Sequence, residues 1–261
     1  MYHQVKAKKH LGQHFLNDTN IAKKIVDALL EIDNTTPIIE IGPGTGVLTQ
    51  YLINDVAVFF ALDVDADSVA YLKTTYPTKH EKILLADFLK IDLEKLPVKK
   101  FNIIGNFPYN ISSQIMFKVL EHKHKINCVV GMFQKEVAER MAEKPGTKTY
   151  GILSVLLQAF YNIDYLFTVN PDVFTPPPKV KSAVIRLVRN ERKELDCDEK
   201  LFFSVVKTCF NQRRKMIRNS VQPLLGNREI THPFFEKRPE QLSVEQFVEL
   251  TIFVEENSSK A

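Results

Sequence analysis

Cysteine is scarce in this 261-residue sequence. Its three cysteines, Cys128, Cys197 and Cys209, are an odd number without CxxC spacing. This pattern excludes a disulfide framework and favours a reducing compartment. His122 and His124 lie close together, but no cysteine or carboxylate stands beside them at zinc-ligand spacing. We therefore expect no metal site.

Long hydrophobic runs are also missing. No uncharged apolar stretch approaches the ~18 residues of a membrane span, and residues 1–14 are polar and basic without the apolar core of a signal peptide. We therefore expect a cytoplasmic protein with no membrane partner. Internal repeats and low-complexity tracts are absent too. A hydrophobic content of 44% in a chain of this length suits one large core and one smaller core, hence two domains.

Net charge is small but unevenly distributed. The formal charge is +4, yet residues 179–218 hold 12 Lys and Arg against 5 Asp and Glu, a local charge of +7. A concentration of positive charge suits a polyanionic partner such as nucleic acid. A merely solvated surface explains the charge equally well at this point.

Short apolar runs alternate with amphipathic segments through the first half of the chain. We predict strands near 37–41, 56–62, 83–86, 101–104 and 127–133, and helices near 19–30, 66–76 and 111–120, with a further helix from the glycine loop to about residue 54. This order predicts a parallel α/β sheet covered on both faces. Polar residues follow four strands at the edge where such sheets bind ligands: Glu40, Asp63, Asp87 and Asn106.

The second half becomes helical. We predict helices over 134–144 and 150–160, extended segments over 163–169 and 183–188, and a charged linker over 189–196. The predicted domains are therefore residues 1–190 and 191–261. Beyond the linker, a helical count places Arg214, Lys215 and Arg218 on one face beside an apolar stripe, where they would meet RNA phosphates.

A glycine loop follows the first strand of the sheet, with glycines at Gly42, Gly44 and Gly46. Val47 stands where a dinucleotide fingerprint has its third glycine, which favours S-adenosyl-L-methionine, a cofactor without a pyrophosphate. Asp63 would accept the ribose hydroxyls and Asp87 the adenine amine of that cofactor. A tight strand-to-helix turn is an equally good explanation of the loop alone.

Gly105–Tyr109 reads Gly-Asn-Phe-Pro-Tyr directly after an apolar strand. The Asn106 carboxamide and the Phe107 carbonyl would accept the two hydrogens of an aromatic amine, while Tyr109 stacks on the base and Pro108 stiffens the turn. Two acceptors would localise the amine lone pair for attack on a methyl sulfonium. These features predict adenine methylation, with an ordinary turn before a helix as the alternative.

The chain as a whole resembles the KsgA (RsmA) family of small-subunit ribosomal RNA adenine dimethyltransferases. The resemblance runs from Lys8 to about Ser220. Six ordered motifs carry it: Gln13–Leu16, Glu40–Gly46, Gly105–Ser112, Gln134–Val137, Phe174–Val180 with Ser182–Val184, and Asn211–Lys215.

The resemblance implies a class I S-adenosylmethionine-dependent methyltransferase with a Rossmann-like, mostly parallel seven-stranded sheet and a small all-helical C-terminal domain. It implies transfer of four methyl groups to the N6 atoms of two adjacent adenosines in the 3′-terminal hairpin loop of 16S ribosomal RNA. The expected partner is an immature small ribosomal subunit, and we expect the protein to be a monomer.

Family site residues transfer onto matching positions of this chain. Cofactor contacts are implied for His14, Leu16, Gly42, Asp63, Asp87 and Asn106. Phe174 is implied to face the target base opposite Tyr109, and without the resemblance a core phenylalanine explains this residue equally well. Asparagine is usual where His14 stands, and leucine where Phe107 stands.

Two other functions compete with this interpretation. The related family that dimethylates large-subunit ribosomal RNA would share the glycine loop and the asparagine motif. The basic run at 212–215 and the segment Phe174–Pro178 favour the small-subunit enzymes. A non-catalytic RNA-binding assembly factor or transcription factor could keep the same fold. Intact Asn106, Tyr109, Asp63 and Asp87 argue against that second alternative.

Overall fold

The computed structural model describes residues 5–226 and 230–258. The chain forms two compact units. The sheet unit contains the residues through Ala138 together with Asn162–Arg189. The helical unit contains Glu139–Tyr161 and the residues from Asn190 onward. No helix in the described ranges is both long and apolar enough to cross a bilayer.

The elements alternate between strand and helix before the chain becomes helical. The strands are β1 (Phe15–Leu16), β2 (Ile38–Ile41), β3 (Phe59–Asp63), β4 (Ile83–Leu85), β5 (Phe101–Asn106), β6 (Ile126–Gln134), β7 (Tyr161–Val169), β8 (Phe174–Thr175) and β9 (Ser182–Arg189). The α-helices are α1 (Thr19–Leu30), α2 (Ala66–Thr75), α3 (Ser112–Glu121), α4 (Lys135–Ala142), α5 (Ile152–Gln158), α6 (Glu199–Asn211), α7 (Ile217–Leu225) and α8 (Val244–Asn257). Short 3-10 helices cover Lys9–Leu11, Thr49–Tyr51, Pro77–Lys82, Leu93–Lys95, Pro171–Val173 and Pro239–Gln241.

Seven strands form one sheet in the order β4-β3-β2-β5-β6-β9-β7. The pairs β2–β3, β3–β4, β2–β5 and β5–β6 are parallel, whereas β6 and β9 are antiparallel. The predicted mostly parallel seven-stranded sheet is thus confirmed. Its strand order reverses between β2 and β5, the point at which open α/β sheets bind ligands.

The sheet is held by apolar burial that the sequence pattern anticipates. All four residues of β2 are buried, as expected for a strand covered on both faces. Helix α1 begins where Asp18 accepts hydrogen bonds from the amides of Asn20 and Ile21 at 2.8 and 3.0 Å, a common N-cap arrangement. Its buried residues recur at helical spacing: Ala22, Ile25, Val26 and Leu29.

The segment after the glycine loop differs from the predicted helix. Residues 47–55 form irregular turns, with only Thr49–Tyr51 in a 3-10 helix. The β-branched side chains of Val47 and Thr49 lower helix propensity there. The Thr49 hydroxyl also donates a hydrogen bond of 2.7 Å to Glu40, which ties the segment to the end of β2.

The domain boundary also differs in part from the prediction. The final crossing between units falls at Arg189, close to the predicted residue 190. Residues 139–161, however, group with the C-terminal helices rather than with the sheet. The reason is that α5 is apolar, with Leu153, Val155 and Leu156 all buried, and it packs against α6 and α8.

The basic run does not lie on one helix, and the predicted single face is wrong. Helix α6 ends at Asn211, and α7 begins only at Ile217. Arg214 and Lys215 therefore lie in the intervening turn, while Arg218 lies in the first turn of α7. The break is stabilised from outside the run, because the amide of Ile217 donates to the carbonyl of Lys237 at 2.8 Å.

Candidate active site

A cavity of about 280 Å³ lies at the carboxyl ends of β2, β3, β4 and β5, inside the sheet unit. Its size is near the lower end of the ~300–1,000 Å³ typical of small-molecule sites. The lining comes from the N-terminal segment, the strand ends and the asparagine motif. It comprises Leu11–Phe15, Gly42, Gly44, Asp63, Val64, Asp87, Leu89 and Asn106–Ile111.

The glycine loop brings bare backbone to this cavity. Gly42 and Gly44 have φ values of 67° and 54°, in the left-handed region that glycine adopts without steric cost. A Cβ atom added at Gly42 would come within 4 Å of only one heavy atom outside its chain neighbours, Cδ of Pro108 at 3.9 Å. Open space therefore borders the Gly42 backbone, as close approach of a ligand requires. Gly46 does not line the cavity, since a Cβ there would point at Leu72.

Asp63 joins the end of β3 to the glycine loop. Its carboxylate accepts hydrogen bonds from the amide of Gly44 at 3.1 Å and the amide of Asp65 at 2.9 Å. Burial raises the pKa of Asp63 above its ordinary value, while these amide contacts oppose that effect. Each carboxylate oxygen can accept a second hydrogen bond. The side chain therefore fits the predicted role of accepting ribose hydroxyls.

Asp87 follows β4 and also lines the cavity. Its side chain accepts a hydrogen bond from the Leu89 amide at 2.9 Å and lies 3.3 Å from the Lys90 ammonium. Leu16 is 2% exposed and borders a small adjoining cavity of about 20 Å³ together with Glu40, Gly42 and Asn106. The structure thus brings together the predicted cofactor residues other than Gly46.

Glu40 is a buried carboxyl group beneath the site. It is 1% exposed, and its partner is the Thr49 hydroxyl. Burial raises the pKa of Glu40 from 4.5 to about 8, and the nearby Asp63 charge acts in the same direction. Glu40 is therefore mostly protonated at neutral pH.

Asn106 is the last residue of β5, and its amide orientation is fixed by the N-terminal segment. The Asn106 Nδ2 atom donates a hydrogen bond of 2.9 Å to the backbone carbonyl of His14. Because the amide nitrogen is engaged, the carboxamide oxygen remains as the acceptor that a substrate amine needs. The next side chain, Phe107, is 1% exposed and packs edge-on to Phe133 with ring centroids 5.0 Å apart.

Tyr109 is held at both its hydroxyl and its ring. The hydroxyl forms a 2.5 Å hydrogen bond with the Ser182 hydroxyl on β9. The ring stacks on the His14 imidazole, with centroids 5.5 Å apart and planes inclined by 27°. The His14 Nδ1 atom in turn lies 2.7 Å from the carbonyl oxygen of Pro176.

Phe174 was expected opposite Tyr109, and the structure places it elsewhere. It lies in β8, paired with Leu16 of β1, and its side chain is 2% exposed within the hydrophobic core. The β1–β8 pairing turns this ring into the core. Phe174 therefore lines neither the cavity of about 280 Å³ nor a neighbouring cavity of about 460 Å³. The ring that faces Tyr109 is that of His14.

A second cavity of about 460 Å³ adjoins the first. The two cavities share Gly12, Gln13, His14 and Tyr109, so the stacked pair of His14 and Tyr109 borders both. The remaining lining of the second cavity is Ala7, Lys9, Gln134 and Pro176–Val180.

Sequence reasoning missed several residues that shape the site. Ser182 lies in one of the family motifs, but no local pattern predicts its hydrogen bond to Tyr109. Lys8 and Gln13 both hydrogen-bond Asp65, at 2.5 and 3.0 Å, and the sequence alone predicts no role for either. The sequence does offer one indication of such a contact: a second aspartate, Asp65, follows Asp63 by two residues at the end of the same strand.

The basic residues lie in the helical unit and differ in their partners. Arg214 and Lys215 are exposed. Arg218 forms an ion pair of 2.8 Å with Glu236. Of the three, Arg214 and Lys215 are thus the better placed to meet phosphates.

The strand order, the glycine loop and the acidic strand ends define a class I S-adenosylmethionine-dependent methyltransferase. The chain belongs to the ribosomal RNA adenine dimethylase family, whose sequence pattern it matches over residues 4–256.

Individual relatives agree with this placement. A protein of Parabacteroides distasonis named ribosomal RNA small subunit methyltransferase A is 58% identical over 258 residues, covering 98% of this chain and 97% of the relative. A protein of the same name from Flavobacterium johnsoniae is 55% identical, with 97% of each chain covered.

Solved structures agree as well. A dimethyladenosine transferase from Plasmodium falciparum superposes with a TM-score of 0.78 at 25% identity, covering 94% of this chain and 98% of that one. The 23S rRNA methyltransferase ErmE superposes with a TM-score of 0.66 at 25% identity, covering 90% and 98%.

Proposed function

We propose that the first cavity binds S-adenosyl-L-methionine and that the target adenine reaches it through the second cavity, past Tyr109. The observation that carries this proposal is the fixed orientation of Asn106. Its Nδ2 atom is engaged by the His14 carbonyl, so its oxygen can accept one hydrogen of the adenine N6 amine. The Phe107 carbonyl accepts the other hydrogen in this proposal.

The cofactor supplies a methyl group on a sulfonium, an activated donor with a neutral leaving group. The residues of the chain therefore act by position. Asn106 and Phe107 draw the amine hydrogens toward tetrahedral geometry, which localises the nitrogen lone pair. Tyr109, held by Ser182, offers a stacking face to the base. Each transfer forms a nitrogen–carbon bond, breaks a carbon–sulfur bond and releases one amine proton to water.

The proposed substrate is two adjacent adenosines in the 3′-terminal hairpin of 16S ribosomal RNA, within an immature small subunit in the cytoplasm, and the acting form is a monomer. The names of the relatives and the higher TM-score of the dimethyladenosine transferase support this choice over large-subunit RNA. Arg214 and Lys215 would contact phosphates of the same RNA, because the target base alone carries little information about the surrounding RNA sequence.

Mass spectrometry of adenosines from both ribosomal RNAs tests the proposal. Deleting the gene should abolish N6,N6-dimethyladenosine in 16S RNA and leave 23S RNA unchanged. The intact gene and the control variant Asn20→Ala, an exposed asparagine on α1, should restore the modification, whereas Asn106→Ala should not. Restoration by Asn106→Ala would refute the role of Asn106, and loss from 23S RNA would refute the substrate.

A further inference from the structure

The N-terminal strap, defined as residues 8–14, forms one wall of the cofactor cavity. It begins with a short 3-10 helix, Lys9–Leu11, which ends at Gly12 with φ of 67°. A Cβ atom on Gly12 would lie 2.7 Å from the side-chain oxygen of Asn110, so the strap packs closely on the loop after Tyr109. The strap ends at His14, whose carbonyl orients Asn106 and whose ring stacks on Tyr109. The position of the strap therefore sets the position of the proposed amine acceptor.

The buried carboxylate of Asp65 binds this strap near both of its ends, at Lys8 and at Gln13. Asp65 is 2% exposed and follows β3 at the N-cap of α2. Its Oδ1 atom accepts from the Lys8 ammonium at 2.5 Å, and its Oδ2 atom accepts from the Gln13 side-chain amide at 3.0 Å. The Gln13 side-chain oxygen in turn accepts a hydrogen bond from the Lys8 backbone amide at 2.7 Å. Lys8 also lies 2.8 Å from Asp67.

Asp65 has no acceptor capacity left for a ligand. Besides the two strap contacts, Oδ1 accepts from the Asp67 amide at 3.0 Å and Oδ2 from the Ser68 hydroxyl at 3.3 Å. Two donors on each oxygen are what a carboxylate normally accepts. The neighbouring Asp63 lines the cavity and can still accept hydrogen bonds. Asp63 is therefore available to a ligand, whereas Asp65 binds the strap.

We propose that Asp65 is a positioning residue for methyl transfer: it acts through Lys8, Gln13 and the His14 carbonyl to hold the Asn106 amide in register with the cofactor cavity. This inference rests on the proposed function of Asn106. It assigns Asp65 no contact with the cofactor or with the target base.

Asp65→Asn is the sharpest variant. Asparagine keeps an oxygen to cap α2 and is a good N-cap residue, but its amide group opposes the Gln13 donor and removes the charge that holds Lys8. We expect kcat for RNA methylation to fall roughly tenfold to a hundredfold, as small misplacements of reacting groups do. Lys8→Met should lower kcat in the same range. The double variant should have the same kcat as Asp65→Asn alone, because both substitutions remove the same contact between Lys8 and Asp65.

A readout independent of turnover is amide hydrogen exchange in the cofactor-free protein. The amides of Leu11 and Gly12 are hydrogen-bonded within the strap. Hydrogen exchange at these two amides should be faster in Asp65→Asn and in Lys8→Met than in the wild type. Lys23→Met is the matched control, since it removes an exposed lysine that pairs with Asp27 at 2.7 Å on α1. It should change neither kcat nor exchange in the strap.

Wild-type kcat and unchanged exchange in Asp65→Asn and Lys8→Met would overturn the proposal. Loss of activity in Asp65→Asn with wild-type activity in Lys8→Met would also overturn it, since the effect of Asp65 would then not pass through Lys8. Failure of the proposed function has a different signature: the unmodified protein itself would transfer no methyl group to ribosomal RNA. The exchange measurement would still decide in that case whether Asp65 and Lys8 hold the strap.

Discussion

Replacing Glu40 with glutamine tests the electrostatics beneath the site. In the unfolded chain this carboxyl ionises near 4.5, and burial raises its pKa to about 8 in the folded protein. Between these pH values the folded protein keeps a proton that the unfolded chain has lost. Raising the pH through this interval must therefore lower the free energy of unfolding. The loss is absent below about pH 4.5 and complete above about pH 8.

The magnitude follows from the same two values. A difference of one pKa unit corresponds to about 1.4 kcal/mol, so ionisation of Glu40 lowers the free energy of unfolding by at most about 5 kcal/mol across the full interval. Glutamine cannot ionise but can still accept the Thr49 hydrogen bond. The Glu40→Gln variant should thus lose less stability than the wild type as the pH rises. The difference should grow steadily across the interval.

Urea unfolding from about pH 5 to about pH 8.5 measures this difference directly. Asp63 contributes in the same direction in both proteins, because its pKa is raised too. Asp33→Asn is the control. Hydrogen bonds, the largest effect being that of Thr36, lower the pKa of Asp33 to about 2, so this residue does not titrate in the tested range. The pH dependence of stability in Asp33→Asn should therefore run parallel to that of the wild type. Parallel curves for wild type and Glu40→Gln would refute the reasoning and show that Glu40 ionises in the folded protein at little cost.

Three further predictions concern the cofactor, the core and RNA. Asp87→Ala should weaken S-adenosylmethionine binding by about 1 to 3 kcal/mol in calorimetry, and unchanged affinity would remove Asp87 from the site. Gly131→Ala should lower stability by about 1 to 3 kcal/mol, since its Cβ would lie 2.2 Å from the Phe107 ring; an unchanged urea midpoint would contradict this packing. Replacing Arg214 and Lys215 with alanine should reduce the slope of log affinity for RNA against log salt concentration by about 1.4 to 1.8 if each contacts one phosphate. An unchanged slope would show that neither residue contacts a phosphate.

Local patterns predicted much of the fold. The Asp18 cap, the period of α1 and the apolar runs of β2 to β6 are each decided by a few neighbouring residues, and the structure confirms them. The strand-end residues were also predictable, because parallel strands deliver their carboxyl ends to one edge.

The remaining features depend on partners far away in sequence. The break between α6 and α7 is stabilised by Lys237, and Phe174 is buried because β8 pairs with β1. The proposed role of Asp65 requires Lys8, 57 positions away. Helical and strand periodicity carry no information on such pairings, so counting along one helix misplaced the basic face.

The path of the chain between the two units has a consequence for how the protein is made. The chain leaves the sheet unit after Ala138, forms α5, and returns at Asn162 to supply β7 and β9 of the sheet. During synthesis the sheet therefore cannot close, and Tyr109 cannot find Ser182, until about residue 189 has emerged from the ribosome. The apolar side of α5 must wait longer still, for α6 and α8. A chain truncated near residue 190 would expose that apolar side to solvent and favour aggregation. Removing the C-terminal residues therefore does not leave a folded sheet unit on its own.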